Sequence, residues 1–120
     1  MINLFNIFNT NRNTENPIQN MSPKEINALI GTKGVAVIDV REPSEYREGH
    51  IAQAKLMPLN TVMSHVTELG KFDKVIVVCR SGNRSNAACQ TLRSSGVKNL
   101  INLRGGMIAW AQAGLPIKQK

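Results

Sequence analysis

The chain is poor in the features that mark several large protein classes. Two cysteines, Cys79 and Cys89, are too few for a disulfide scaffold. No apolar run approaches the ~20 residues that span a bilayer, which excludes a transmembrane helix. Aromatic residues make up 4% of the chain, a meagre supply for stacking against single-stranded nucleic acid. Lys and Arg are never clustered in runs, although 15 of them against 8 acidic residues give a net charge of +7. Two separated Cys and two separated His match no metal-ligand spacing, and no motif asks for a cofactor. The first twenty residues lack a basic n-region and an apolar stretch of signal-peptide length. These absences predict a cytoplasmic enzyme or binding module, with no nucleic-acid or membrane partner. The basic surplus favours anionic partners in general (nucleic acid, a membrane surface or small oxyanions) or is simply a well-solvated basic surface.

The 120 residues, 42% of them hydrophobic, suffice for one core. Residues 1–20 are rich in Asn, whose side chain competes with backbone ladders, and they read as a flexible arm before a domain at 21–118. Order is expected to begin at Ser22, where a capping residue, a Pro at the first helical position and Glu25 announce a helix. Strands are predicted at 35–40, 54–57, 74–78 and 99–103. A short helical turn opens at Pro43, and longer helices are expected at 60–69, 84–95 and after Gly105-Gly106. Strands alternating with helices predict an α/β domain with a central, mainly parallel sheet flanked by helices on both faces. The strands read as unbroken apolar runs because both faces of such a sheet are covered.

The chemistry concentrates in one segment. A buried strand, 74–78, delivers Cys79 to the carboxyl edge of the sheet, where open α/β folds place their ligands. Arg80, Ser81, Gly82 and Asn83 follow, and Arg84 opens the next helix. Gly82 and Asn83 suit a tight turn that aims successive backbone N–H groups inward as an anion nest. The helix adds the positive end of its dipole, and Arg80 and Arg84 add two charges. Such surroundings lower a thiol's pKa from ~8.5 and make Cys79 a nucleophile beside an oxyanion site. Residue types alone leave the anion open: a phosphate ester, arsenate or thiosulfate.

The chain resembles the single-domain rhodaneses, the sulfurtransferase family. The resemblance is carried by residues 37–42 (Val-Ile-Asp-Val-Arg-Glu), Glu45-Tyr46, Gly49-His50-Ile51, residues 79–85 (Cys-Arg-Ser-Gly-Asn-Arg-Ser), and Gly105-Gly106 followed by Trp110. It spans Ser22 to Pro116 in family order. It implies a rhodanese-like fold and a thiosulfate sulfurtransferase without a cofactor. Cys79 would take the outer sulfur of a small anionic donor as a persulfide and hand it to cyanide, a small thiol or a protein acceptor. The loop N–H groups would hold the persulfide, and Arg80 and Arg84 the donor's anionic end. The six-residue loop from Cys79 to Arg84 resembles the sulfurtransferase members. The related phosphatases and arsenate reductases carry a seven-residue loop that suits a larger tetrahedral anion. Asp39 and Arg41 are expected to brace the loop, and His50 to be structural.

Two alternatives belong to other classes. A non-catalytic interaction module with the same fold would be expected to have lost Cys79. A Cys-dependent phosphatase or arsenate reductase is disfavoured by the short loop. Cys89, inside a predicted helix, reads as core rather than as a resolving thiol, His65 as solvent-facing, and Trp110 with Met107 and Ile108 as core packing of the last helix.

Overall fold

β-branched runs with few polar interruptions fix the centre of the molecule. The computed structural model describes residues 17–119. It contains β1 (Gln19–Met21), α1 (Pro23–Leu29), β2 (Val35–Asp39), α2 (Pro43–Glu48), β3 (Lys55–Leu56), a 3₁₀ helix (Leu59–His65) running into α3 (Val66–Leu69), β4 (Lys74–Val78), α4 (Asn83–Ser94), β5 (Leu100–Leu103) and α5 (Gly106–Gln112). The five strands form one sheet in the order β1-β5-β4-β2-β3. Every pairing is parallel.

Alternation along β4 divides the core. Val75, Val77 and Cys79 face one side, with Ala88, Cys89 and Leu92 of α4 and Val62 of the 3₁₀ helix packed over them. Ile76 and Val78 face the other side, against Ile26 of α1 and Met107 and Trp110 of α5, with Tyr46 of α2 at its margin. Both faces are therefore sealed, and the strands' carboxyl ends are the exposed edge on which a site can be built.

Order starts earlier than the sequence reading placed it. β1 lies partly inside the stretch read as an arm and pairs with β5, Asn20 standing opposite Asn102. A parallel edge strand is held by its backbone, so Gln19 and Asn20 serve with only Met21 packed against the core, and no apolar pattern announces it. Residues 1–16 of the expected arm lie outside the described residues. The helix expected over 60–69 is mostly 3₁₀, with Pro58 rather than Asn60 as its N-cap. Thr61 and Ser64 donate their hydroxyls to the Pro58 and Thr61 carbonyls, at 2.8 and 2.7 Å, and so compete with an α-helical ladder. Only the last turn, α3, is α-helical. No helix among the described residues is long and apolar enough to cross a membrane.

Candidate active site

The loop after β4 is shaped from below by α5. The N–H groups of Met107 and Ile108 donate to the carbonyls of Cys79 and Arg80, at 2.8 and 3.1 Å. Those carbonyls are thereby turned toward the helix, which leaves the loop's amides to face the other way. The approach requires Gly106, whose φ is +60°: a Cβ there would stand 2.6 Å from the Cys79 carbonyl oxygen and collide with the Arg80 carbonyl. Gly82 turns the chain into α4 with φ +106°.

The amides converge on one atom. The Gly82 N–H donates to Cys79 Sγ at 3.1 Å, and Ser85 Oγ lies 3.2 Å from the same sulfur. Cys79 is 1% exposed, one layer beneath the exposed side chains of Arg80, Ser81 and Asn83. Burial pushes its thiol up. The Ser85 hydroxyl and the amides of Ser85, Gly82 and Ser81 outweigh that and hold it below the ordinary thiol range. The sequence reading shared this stabilisation among the nest, the helix dipole and two guanidinium groups; the largest contributions come from the Ser85 hydroxyl and the nest amides.

A buried polar chain stands behind the hydroxyl. Ser85 donates to Asn102 Oδ1. Asn102 Nδ2 donates to Asn20 Oδ1 at 2.9 Å and to the Gly82 carbonyl at 3.3 Å. With both amide protons used, Asn102 turns only its acceptor toward Ser85. Ser85 has one proton, so a neutral Cys79 must donate its S–H to Ser85 Oγ. Once Cys79 ionises, the Ser85 hydroxyl donates to the thiolate by exchanging its bond to Asn102 Oδ1 for a charge-assisted one. Sequence reasoning passed over Asn102 and Asn20. The available signal was a polar residue in the middle of the apolar run Leu100–Leu103, since a buried polar group needs named partners.

The structure does not leave Arg84 open toward the mouth. Its guanidinium is forked by Glu45 of α2, at 2.8 and 2.9 Å. The Arg84 bond holds the Glu45 carboxyl down at about 2 against its burial. Glu45 Oε1 also accepts from the Glu42 N–H at 2.9 Å, which fixes the start of α2. The partner was invisible from spacing, because 39 positions separate the two residues. Arg80 is exposed and makes no ion pair among the described residues.

Asp39 and Arg41 bind each other, with Arg41 Nη2 2.8 Å from Asp39 Oδ2 and both side chains buried. Arg41 Nη2 also donates to the Gly49 carbonyl at 2.8 Å. The pair makes no hydrogen bond to the Cys79 loop. It anchors the end of α2, the helix that presents Glu45. His50 Nδ1 lies 2.7 Å from the Tyr46 carbonyl, and the two rings stack at 3.7 Å. His65 is half-buried beside Glu68 at 3.3 Å rather than facing solvent freely. Cys89 is fully buried and unbridged, and burial pushes its thiol up to about 12. No group of three metal-ligating side chains occurs among the described residues.

Known proteins resemble the chain over most of its length. Residues 22–113 match the family described as Rhodanese-like domain. A sulfurtransferase of Allochromatium vinosum is 42% identical over 89 residues, 74% of this chain and 83% of that protein. The putative sulfur carrier protein YrkF of Bacillus subtilis is 38% identical over 74 residues, 62% of this chain but only 40% of that protein. The crystal structure of a rhodanese-related protein from Thermoplasma volcanium superposes with a TM-score of 0.76 at 30% identity, covering 85% of this chain and 99% of that one.

Proposed function

The chain belongs to the rhodanese-like domain family, and from that premise we propose that it transfers sulfane sulfur through a persulfide on Cys79. The observation that carries the reading is the ring of donors around a single sulfur: the Gly82 N–H, the Ser85 hydroxyl and the loop amides. A thiolate so held is a nucleophile without a general base.

With thiosulfate as donor, the Cys79 thiolate attacks the outer sulfur. A new S–S bond forms from the thiolate's electron pair. The donor's own S–S bond breaks, and its pair leaves on sulfite. The product is a Cys79 persulfide anion, whose outer sulfur takes the place vacated by the donor. Amides already directed at the loop's centre stabilise it without reorganising. A small thiol, cyanide or a protein thiol then attacks the outer sulfur, and Cys79 leaves as thiolate. Arg80, with the exposed loop residues Ser81 and Asn83, meets the incoming anion. Asp39 and Arg41 act at a distance by holding α2.

The working unit begins with β1, at Gln19, because Asn20 contributes to the chain of side chains behind Ser85. A free, activated thiol is suited to a reducing compartment, and the cytoplasm is its proposed location. The partners are a small anionic donor and a thiol acceptor, with neither nucleic acid nor membrane involved.

The direct test is the intact mass of the protein after incubation with thiosulfate. One additional sulfur atom is expected, removable by a reducing agent, together with thiocyanate formation from cyanide. Cys79→Ser should reduce both to background while Cys89→Ala retains them. No added sulfur on the wild-type chain would end this reading.

A further inference from the structure

We propose that Glu45 sets the charge of the sulfur donor: by neutralising Arg84 it removes one guanidinium charge from beside Cys79, and so favours donors with a single negative charge over dianionic thiosulfate. This rests on the sulfurtransferase reading above and specifies its substrate class.

The geometry is specific. Arg84 is the second residue of α4, directly after the loop that holds the thiolate. It lies near enough for the charge on Cys79 to act on its guanidinium. Its two terminal nitrogens are both bound by the two oxygens of Glu45, a fork that satisfies the planar face an oxyanion would otherwise use. Glu45 is held in place from behind by the Glu42 N–H and by the anchoring of α2 through Arg41 and Gly49. Of the other basic groups nearby, Arg41 is paired with Asp39, and Arg104, which precedes Gly105, lies near Glu25. Neither Arg80 nor Arg104 makes an ion pair among the described residues, and Arg80 is the one inside the Cys79 loop.

The chemistry requires two anions to meet. A thiolate must approach a sulfur bonded to an anionic group, and the repulsion grows in proportion to the donor's charge. An unpaired Arg84 would offset a second negative charge on the donor, whereas the Glu45–Arg84 pair offsets little of it. A thiosulfonate, R–SO₂–S⁻, carries the same transferable outer sulfur with one charge fewer. Cys79 attacks that sulfur, the S–S bond breaks, and a sulfinate leaves with the electron pair. Atoms and charge balance as they do for thiosulfate and sulfite.

The experiment compares kcat/KM for thiosulfate and for methanethiosulfonate, with cyanide as acceptor, in the wild type, E45Q and R84Q. Trp110 fluorescence serves as the control for folding. Freeing Arg84 in E45Q should raise kcat/KM ~threefold for the monoanion and ~tenfold for the dianion, because the interaction scales with charge. The thiosulfate-to-thiosulfonate ratio should therefore rise ~threefold in E45Q. It should fall by a similar factor in R84Q, where Glu45 is left uncompensated. The opposite signs keep the test decisive if one variant folds poorly. Ratios that stay at the wild-type value in the folded variants overturn the role of Glu45. Failure of both donors to place sulfur on Cys79 overturns the sulfurtransferase reading instead, so the two failures are distinguishable.

Discussion

At the scale of single residues, the site is a contest over one proton. Burial at 1% exposure works against a Cys79 thiolate, while four donors from Ser81, Gly82 and Ser85 work for it and prevail. The Ser85 hydroxyl is the one donor that can be deleted without touching the backbone. Ser85→Ala should raise the thiol pKa by about one unit, the worth of one hydrogen bond to an anion. Iodoacetamide labelling followed against pH would read this as a displacement of the rate profile to higher pH. An unmoved profile would mean that the amides alone hold the sulfur. Much of this was legible in the chain. A cysteine after an apolar run, followed by Gly82, Asn83 and a helix start, identifies an anion nest from residue types alone. The fate of Arg84 was not, because local sequence shows a charge but not its partner, and Glu45 comes from another helix. Asn102 was half-legible: its polarity inside β5 is conspicuous, but only the register that sets it opposite Asn20 explains what it holds.

At the scale of elements, α5 matters more through its first turn than through its packing face. Trp110 and Met107 secure it against the sheet, as their apolar character suggested, but Ile108, read as core with them, falls on the outer side of the helix and is exposed. Gly106 serves the backbone approach to Cys79 and Arg80. That role was readable only as a helix start, since a close approach of two main chains leaves no trace in hydrophobic periodicity. Gly106→Ala adds one carbon in a left-handed conformation and in collision with the loop. It should destabilise the fold by ~2 kcal/mol and slow sulfur loading of Cys79 by more than any other Gly→Ala change outside the loop. Urea unfolding and the mass-based loading rate measure the two effects separately. Normal loading in a folded Gly106→Ala protein would show that the carbonyls of the loop need no such tether. The 3₁₀ segment over Leu59–His65 illustrates the opposite case. Its apolar spacing resembled an α-helix, and hydroxyls at Thr61 and Ser64, chemically plain in the sequence, diverted the backbone locally.

At the scale of the whole molecule, the same apolar layer holds two thiols with opposite properties. Cys79 and Cys89 belong to one cluster between the sheet and α4. The first sits at the carboxyl edge, where loop amides end on it. The second faces the sheet from inside the helix, and burial pushes it up to about 12, against a small lowering by Arg93. Alternating strands and helices made this two-sided architecture predictable. The strand order was not, because nothing local says that β1 joins the far side of β5. The architecture has a consequence for alkaline stability. In the unfolded chain Cys89 ionises near its ordinary value of 9.0, whereas in the folded chain it stays protonated up to about 12. A raised folded-state pKa contributes stability that is complete below pH ~9 and is lost as pH climbs from there toward ~12, at about 1.4 kcal/mol per pH unit. Trp110, the single tryptophan and 1% exposed, reports unfolding of the whole domain. Urea titrations of Cys79→Ser, with and without Cys89→Ala, should therefore be made between about pH 8 and 10, below most lysine ionisation. The Cys89→Ala chain begins ~1–2 kcal/mol less stable, because a buried sulfur has been removed. Its deficit should shrink as pH rises, since it lacks the thiol whose ionisation drains stability from the parent. Two curves that stay parallel across the range would show that Cys89 reaches water in the folded protein and that the layer beneath α4 is not sealed.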